Sequence, residues 1–262
     1  MDALVHPKER LYFWVSLVVS LQLYVLLIVS IIGLFYIAIG VVIGIVVHGL
    51  LIGHLKGNAV RMSERQFPEV HRMAGALARE MDLDPVPAVY VLQSGGVLNA
   101  FATKFLGRSF VVVNSDVLEI GYEQGEAALA FIVAHELAHI KRRHLTWRWL
   151  LYPAMMVPFL GSAYSRACEY TCDRFGAHFR PEGAVPGLLV LASGKKLYAR
   201  MGAVDFGRQA DAERGFWVVF AEILASHPNL TKRVRAVLPA ERVAVSRSSH
   251  LHELAADSIN PA

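Results

Sequence analysis

The residue pattern with the clearest chemistry in this sequence is His135, Glu136 and His139, spaced as H-E-x-x-H. Residues four apart in a helix project from one face, so the two imidazoles could bind a single Zn2+ ion. Glu136 would stand beside that ion, where a carboxylate can take a proton from metal-bound water. The alternative is a chance match on a helix rich in Ala, Ile and Leu, because short motifs also recur without function. The sequence therefore has to supply a third metal ligand elsewhere.

A second pair of candidate residues follows the motif in the chain. Catalytic zinc usually holds three protein side chains and leaves its fourth position to water or substrate. Glu169 and Asp173 are four residues apart, so they share one face of the predicted helix. We expect Glu169 to bind the metal and Asp173 to orient a ligand imidazole through a hydrogen bond. Alternatively, the two acids form a solvated face and pair with Arg166 and Arg174.

The two cysteines of the chain, Cys168 and Cys172, lie on the same predicted helix. Their thiolates could compete with Glu169 for zinc, but thiolate ligands are typical of closed structural sites, which would leave Glu136 without a task. We expect both cysteines to pack as small apolar residues. Two cysteines also exclude a framework of structural disulfides.

The chain resembles the integral-membrane zinc metallopeptidases of the HtpX and CAAX prenyl endopeptidase family, gluzincins in which H-E-x-x-H is joined to a later E-x-x-x-D. Three further segments resemble that family: N-A-F-A at 99–102, S-R-x-x-E-Y at 165–170 and H-P-x-x-x-x-R at 227–233. Together the elements cover about 86–240 and follow the order of the family, which makes the signal specific. Only 29 residues separate His139 from Glu169, too few for the membrane-spanning insertion of HtpX-like enzymes, so we expect no second hairpin there.

The resemblance implies roles for the matched residues. Glu136 would be catalytic, together with His227, which would approach the oxyanion that develops during hydrolysis. The substrate would be bound by Asn99, Ala100, Phe101 and Ala102. An edge strand at this position would offer unpaired backbone groups to an extended peptide. Alternatively, Asn99 only satisfies a turn, and His227 only caps a helix or lies on the surface.

The implied activity is hydrolysis of peptide bonds by a membrane-anchored zinc endopeptidase with one Zn2+ ion per chain. Its substrates would be protein or peptide segments near or within the membrane, such as misfolded membrane proteins. One alternative is a zinc-stabilised membrane scaffold or chaperone-like protein with latent or minor proteolysis. Another is prenyl-protein processing, although the chain lacks the many extra spans of those endopeptidases. Glu136 favours the enzyme, because a structural zinc site has no use for it.

The composition independently indicates a membrane protein. Hydrophobic residues make up 55% of the chain, and residues 11–55 contain no Asp, Glu, Lys or Arg. Since a helix crosses a bilayer with about 20 apolar residues, this region predicts two transmembrane helices, at about 11–29 and 34–51, with a turn near 30–33. A single long tilted helix is the alternative. A cleaved signal peptide is disfavoured because the apolar region is too long.

Positive charges flank the apolar region on both sides and are absent from the predicted turn. They are Lys8, Arg10, Lys56, Arg61 and Arg65. Positively charged flanks stay on the cytoplasmic side, so we expect a multi-pass protein of the bacterial inner membrane with its catalytic domain in the cytoplasm. The net charge of +4 does not indicate nucleic acid, because no aromatic residues interleave with Lys and Arg. The expected partners are the lipid bilayer and protein substrates, and the oligomeric state is open.

Residues 145–164 form a second apolar segment, which contains Trp147, Trp149 and two prolines. Its length and its prolines are poor for a spanning helix, whereas its Trp, Tyr and Arg residues favour the membrane–water interface. We expect an interfacial or re-entrant segment; a helical hairpin buried in the soluble domain is the alternative. We expect His144 to be structural and both His48 and His54 to lie at the membrane interface.

The order of elements predicts an α+β fold, in which an N-terminal transmembrane helical hairpin precedes a mainly helical domain with a small β-sheet. The resemblance implies that this domain is a zincin-type (gluzincin) metallopeptidase. Strands are expected at 88–92 and 109–114, with 99–102 between them. Helices are expected at 68–81, 126–149, 162–179, 186–200, 216–225 and 228–238, of which 186–200 and 216–225 are expected in the core. The predicted regions are a cytoplasmic N-terminus (1–10), a transmembrane region (11–55), the zinc metallopeptidase domain (56–240) and a mobile C-terminal tail (241–262).

Overall fold

The computed structural model describes residues 1–93, 95 and 99–238. It confirms the expected α+β class, with two apolar helices ahead of a mainly helical domain that contains a small sheet. The predicted C-terminal tail at 241–262 lies outside the described residues.

The apolar region forms two helices, α1 (Pro7–Val29) and α2 (Ile31–Asn58), and not one long helix. Ser30 lies between them, and its Oγ accepts a hydrogen bond from the Gly33 N–H at 3.2 Å, which caps the start of α2. A Cβ atom at Gly33 would lie 2.2 Å from the Leu27 carbonyl oxygen, so this tight turn requires glycine. Both helices are long and apolar enough to cross a bilayer, and α2 continues seven residues beyond its expected end.

The sheet has four strands: β1 (Val60–Arg61), β2 (Ala88–Leu92), β3 (Ala100–Phe105) and β4 (Arg108–Asn114). Their order is β1-β2-β4-β3, with β2 parallel to β4 and β3 antiparallel to β4. Val111 and Val113 are fully buried in the main core, and Val112 is buried on the other face against α2, so the central strand is apolar on both faces. β3 pairs with β4 on one side only and forms an edge of the sheet.

The remaining helices, in chain order, are α3 (Pro68–Glu80), α4 (Ser115–Gln124), α5 (Glu126–Lys141), α6 (His144–Leu150), α7 (Tyr152–Met155), α8 (Leu160–Phe179), α9 (Pro181–Ser193), α10 (Ala203–Ala212), α11 (Phe216–Leu224) and α12 (Leu230–Val237). The central helix is α5, whose residues are buried from Ala128 to Ala138. The helices α3, α8 and α9 pack around it. Such burial on all sides is typical of a core helix, and it holds the H-E-x-x-H segment rigidly.

Three predicted helices differ from the structure. The helix expected at 126–149 is wrong as a single element, because Arg143 adopts a left-handed conformation with φ of 56° and separates α5 from α6. The helix expected at 186–200 begins five residues earlier, at Pro181, and ends at Ser193 before Gly194, whose φ is 82°. The helix expected at 216–225 forms, but none of its residues is buried, so its placement in the core is wrong.

The segment 145–164 packs along α1. The Tyr24 hydroxyl donates to the Trp149 carbonyl oxygen at 3.3 Å, and the Ala154 N–H donates to Ser20 Oγ at 3.2 Å. Trp149 also reaches α2, where its indole ring lies 3.1 Å from the position of a Cβ added to Gly44. The segment thus lies beside the two apolar helices, and its expected interfacial or re-entrant placement stays a prediction.

Candidate metal centre and catalytic groups

Two helices bring the three candidate metal ligands together. α5 carries His135 and His139, and α8 carries Glu169 opposite them. The His135 Nε2 atom lies 3.4 Å from Glu169 Oε2, and the His139 Nε2 atom lies 3.3 Å from Glu169 Oε1. A tetrahedral zinc ion with bonds of about 2.0–2.1 Å keeps its ligand atoms about 3.3–3.4 Å apart. Both nitrogen–oxygen distances therefore match the spacing in a zinc site, and each ends on a different oxygen of Glu169.

Glu169 is buried, and its neighbours determine whether its carboxyl group is ionised. Burial would raise the pKa of Glu169, but hydrogen bonds with His135 and His139 hold that pKa well below its usual range. The Arg233 Nη1 atom adds a positive charge 3.4 Å from Glu169 Oε2. Glu169 is thus ionised, which is the form that binds a metal.

Cys172 is the competing ligand. Its sulfur and one ring nitrogen each from His135 and His139 lie within 4.8 Å of one another. However, burial raises the pKa of the Cys172 thiol well above its usual value, and only a thiolate binds metal well. The two Nε2 atoms face Glu169, while the Nδ1 atoms have other hydrogen-bond partners. The geometry therefore favours Glu169, and Cys172 packs against apolar neighbours as expected.

Asp173 orients the first histidine. Its Oδ1 atom lies 3.0 Å from His135 Nδ1. Arg233 donates two hydrogen bonds to Asp173, from Nε at 2.8 Å and from Nη2 at 2.7 Å. Burial would raise the pKa of Asp173, but the Arg233 charge and these hydrogen bonds hold it below its usual value. Burial would lower the pKa of His135, but hydrogen bonds with Asp173 and Glu169 raise it to about 10, so both ring nitrogens carry protons here. A metal ion bound at Nε2 would replace the proton on that nitrogen and leave the Nδ1 proton donated to Asp173.

A row of side chains, His144 and then Glu9, lies behind the other histidine, His139. The His139 Nδ1 atom lies 3.1 Å from His144 Nδ1, and the His144 Nε2 atom lies 3.3 Å from Glu9 Oε1. Arg142 also donates to Glu9 Oε1 from Nη2 at 2.8 Å. The sequence interpretation missed Glu9 altogether. The sequence offered one signal: Glu9 is an acidic residue at the edge of the apolar region, and the next acidic residue after it is Glu64.

Glu136 lies beside the candidate ligands and has the environment of a general base. Its side chain is buried, and burial raises the pKa of Glu136. The backbone of Ala102 forms a hydrogen bond with its carboxylate, which connects Glu136 directly to the edge strand β3. A raised pKa suits a carboxylate that first accepts a proton and then returns it near neutral pH.

The other predicted site residues lie around the same cleft. His227 Nε2 is 3.6 Å from Glu169 Oε1, and the His227 side chain is 65% exposed. One cavity is lined by Asn99, Ala100, Phe101 and Ala102 together with the metal-site residues and His227. For Asn99, the structure describes a backbone contact in which its carbonyl oxygen accepts from the Asn114 N–H at 3.0 Å. The structure therefore brings the predicted residues to one cleft, except Asp173, which is buried behind His135.

Comparison with known proteins identifies the family. Peptidase family M48 matches the chain at residues 64–157 and 146–241. The chain is 27% identical to the plastoglobule-localized metallopeptidase 48 of Arabidopsis thaliana, over 69% of this chain and 59% of the plant protein. It is 27% identical to a protease HtpX homolog of Moorella thermoacetica, over 68% of this chain and 73% of that protein.

A protease HtpX homolog of Pyrococcus abyssi is 26% identical, over 68% of this chain and 75% of that protein. The chain thus spans less than two thirds of the plant relative. No solved structure matches the chain. The family match covers α3 to α12 and includes every candidate ligand, so the chain belongs to peptidase family M48.

Proposed function

We propose that the protein is a membrane-anchored zinc endopeptidase that hydrolyses peptide bonds of proteins. The observation that carries this proposal is the convergence of the His135 and His139 Nε2 atoms on Glu169, with the buried carboxylate of Glu136 beside them. A closed structural zinc site would not need that additional carboxylate. The printed names of the relatives, metallopeptidase and protease HtpX homolog, support the same activity.

The proposed mechanism assigns one task to each group of the cleft. A zinc ion held by His135, His139 and Glu169 would acidify a bound water and polarise the scissile carbonyl. Glu136 takes the proton of the attacking water and delivers it to the departing amine. His227, close to the ligand set, would donate a hydrogen bond to the oxyanion.

The edge strand β3 supplies the proposed substrate-binding groups. Its outer side has no strand partner among the described residues. An extended peptide would add itself there by bonds to the backbone groups that are not already bonded to Glu136 or His48. The hydrogen bond between the Ala102 backbone and Glu136 would place such a peptide next to the general base. Asn99 precedes this strand and lines the same cleft.

The proposed location is the bacterial inner membrane, with the catalytic domain in the cytoplasm. Two helices suited to crossing a bilayer support membrane anchoring, and the positive charges that flank them support the orientation. Peptide segments near or within the membrane are the proposed substrates, because α1 and the segment 145–164 lie against the catalytic domain. We also propose a role in membrane protein quality control, which this placement supports.

Substitution of the general base tests the proposed activity. We expect Glu136→Gln to lower casein cleavage by the detergent-solubilised chain by about 10²–10⁴-fold, the usual contribution of general acid–base catalysis. Bound zinc should stay at one ion per chain, since the three ligands are unchanged. Glu126→Gln is the matched control, because Glu126 is exposed at the start of the same helix. Equal cleavage by wild type and Glu136→Gln would exclude the proposed mechanism.

A further inference from the structure

Helix α11 has an unusual surface for a helix outside a membrane span. Its sequence, FWVVFAEIL, contains one charged residue, and none of its side chains is buried. Phe216 is 70% exposed, Trp217 is 75% exposed and Leu224 is 57% exposed. A helix that is apolar on all sides normally lies in a protein core or in lipid. The described part of the protein does not cover this helix.

The packing of α8 on α1 shows which level along α1 corresponds to the attachment point of α11. The two helices run antiparallel: the His6 N–H donates to Thr171 Oγ1 at 3.0 Å, and the ring of Phe13 lies 6.4 Å from that of Tyr164. Moving toward the start of α8 therefore means moving deeper along the apolar helix α1. Ser162, two residues before Tyr164, lies at about the level of residue 15 of α1.

The C-terminal end of α11 is bonded to this deep part of α8. Ser162 Oγ donates to the Ile223 carbonyl oxygen at 2.6 Å. Arg166 Nη1 donates to the carbonyl oxygens of Glu222, Ile223 and Ala225 at 2.8 Å each. With a rise of 1.5 Å per residue, the level of Ser162 is roughly 6 Å beyond Leu11, where the uncharged part of α1 begins. With the bilayer surface at the level of Leu11, the attachment point of α11 would lie within the headgroup and acyl boundary.

We propose that α11 is an interfacial helix whose apolar side chains insert into the lipid bilayer that holds α1 and α2. This inference rests on the membrane anchoring in the proposed function. Phospholipid would cover the exposed side chains of α11, because this helix is attached at the same depth as Leu11 and Trp14. These two residues of α1 are also exposed. Interfacial helices bury their apolar face about 5–10 Å into this boundary.

The position of α11 in the chain connects the membrane to the catalytic cleft. Ala225 and Ser226 alone separate α11 from His227, and Ser226 Oγ lies 3.0 Å from His227 Nδ1. Lipid contact by α11 would therefore fix the height of His227 above the bilayer. The cleft would open at the membrane surface, where a peptide segment leaving the bilayer can reach it.

Spin labels on single introduced cysteines test this placement. Both native cysteines are buried, so labels can be attached to Trp217→Cys, to Val18→Cys on the lipid-facing side of α1, and to the exposed control Glu126→Cys. The full chain is placed in nanodiscs of phosphatidylcholine and phosphatidylglycerol, and collision of each label with oxygen and with a water-soluble nickel complex is measured. We expect the oxygen-to-nickel ratio at 217 to be several-fold higher than at 126 and lower than at 18.

Each other outcome has a distinct meaning. A water-like ratio at 217 with a lipid-like ratio at 18 would overturn the interfacial helix and leave the membrane anchor intact. A water-like ratio at both positions would overturn the anchor as well. Low collision with both reagents at 217 would mean that protein covers α11, as in a contact between two copies, and would also overturn the proposal.

Discussion

At the level of single residues, the two histidines of the candidate metal site are oriented in similar ways. The Nδ1 atom of His135 faces the carboxylate of Asp173 directly, and that of His139 faces the carboxylate of Glu9 through His144. If His139 carries its proton on Nδ1, then His144 accepts at Nδ1 and carries its own proton on Nε2, which lies 3.3 Å from Glu9 Oε1. In both arrangements Nε2 would be the nitrogen that binds a metal ion, and the contact at Nδ1 would make the ligand more basic.

Removal of the intermediate imidazole should weaken zinc binding. His144→Ala leaves the Nδ1–H of His139 without its acceptor, and loss of such a supporting group typically costs 10–100-fold in metal affinity. Competition with a chelator in detergent measures the zinc affinity. His178→Ala is the matched control, because His178 is exposed near the end of α8. An unchanged affinity in His144→Ala would contradict the orienting role of His144.

The sequence predicted the residues whose chemistry depends on local spacing. His135 and His139, as well as Glu169 and Asp173, are pairs four residues apart, and helical geometry places each pair on one face. It could not predict the contact of Glu9 with Arg142 and His144, since no local pattern relates residues separated by 133 positions. His144 was expected to be structural, and the structure adds the specific contact with His139.

At the level of elements, close contact between helices depends on glycine. A Cβ atom at Gly183 of α9 would lie 1.9 Å from the Ala127 carbonyl oxygen of α5. A Cβ atom at Gly187 would lie 2.6 Å from the Phe131 ring of α5. Glycine thus lets α9 approach the helix that carries the H-E-x-x-H segment.

The substitution Gly183→Ala should destabilise the protein, because the added methyl group meets backbone and forces the helices apart. Overpacking of this kind costs about 1–3 kcal/mol, which thermal unfolding in detergent would show as a lower Tm. The control is Gly75→Ala on α3, where the nearest atom to the added Cβ is a flexible Arg79 side-chain nitrogen at 3.5 Å. That change should be neutral or stabilising by up to about 1 kcal/mol. Equal Tm values for the two variants would contradict this account of the α5–α9 contact.

The types of the elements were easier to predict than their ends. The turn at Arg143 was missed because Lys141, Arg142 and Arg143 all favour helices, so nothing in the local sequence marks the left-handed residue. Helix α11 was assigned to the core on its composition alone. Composition reports that a helix avoids water, but it does not distinguish a protein core from lipid.

At the level of the whole molecule, the hairpin and the α+β class were evident from the sequence, since both depend on composition and periodicity. The path of 145–164 along α1 was not, because the contacts of Tyr24 with Trp149 and of Ser20 with Ala154 join distant parts of the chain. Its prolines and aromatic residues predicted an interfacial or re-entrant segment but not the helix against which it packs.

The predicted orientation can be tested by chemical labelling in bacterial membrane vesicles. Ile31 is 87% exposed at the turn between α1 and α2, so Ile31→Cys should react with a membrane-impermeant maleimide from the periplasmic side. Glu126→Cys should react only from the cytoplasmic side, because the positively charged flanks keep the catalytic domain there. Reaction of both cysteines from the same side would contradict a hairpin that crosses the membrane twice.

The C-terminal end of the edge strand β3 contacts helix α2 of the N-terminal hairpin. There His48 Nε2 lies 3.0 Å from the Lys104 carbonyl oxygen. Ala102, at the level of Glu136, is two residues earlier in the same strand. A strand advances about 3.3 Å per residue, so the scissile bond of a peptide aligned on β3 would lie only about 7 Å from the hairpin. We therefore expect cutting at a fixed spacing from the anchor of a tethered substrate. Lengthening the linker ahead of a tethered reporter sequence should move the cut along that sequence, whereas a cut that stays at one sequence would show that side chains select the bond.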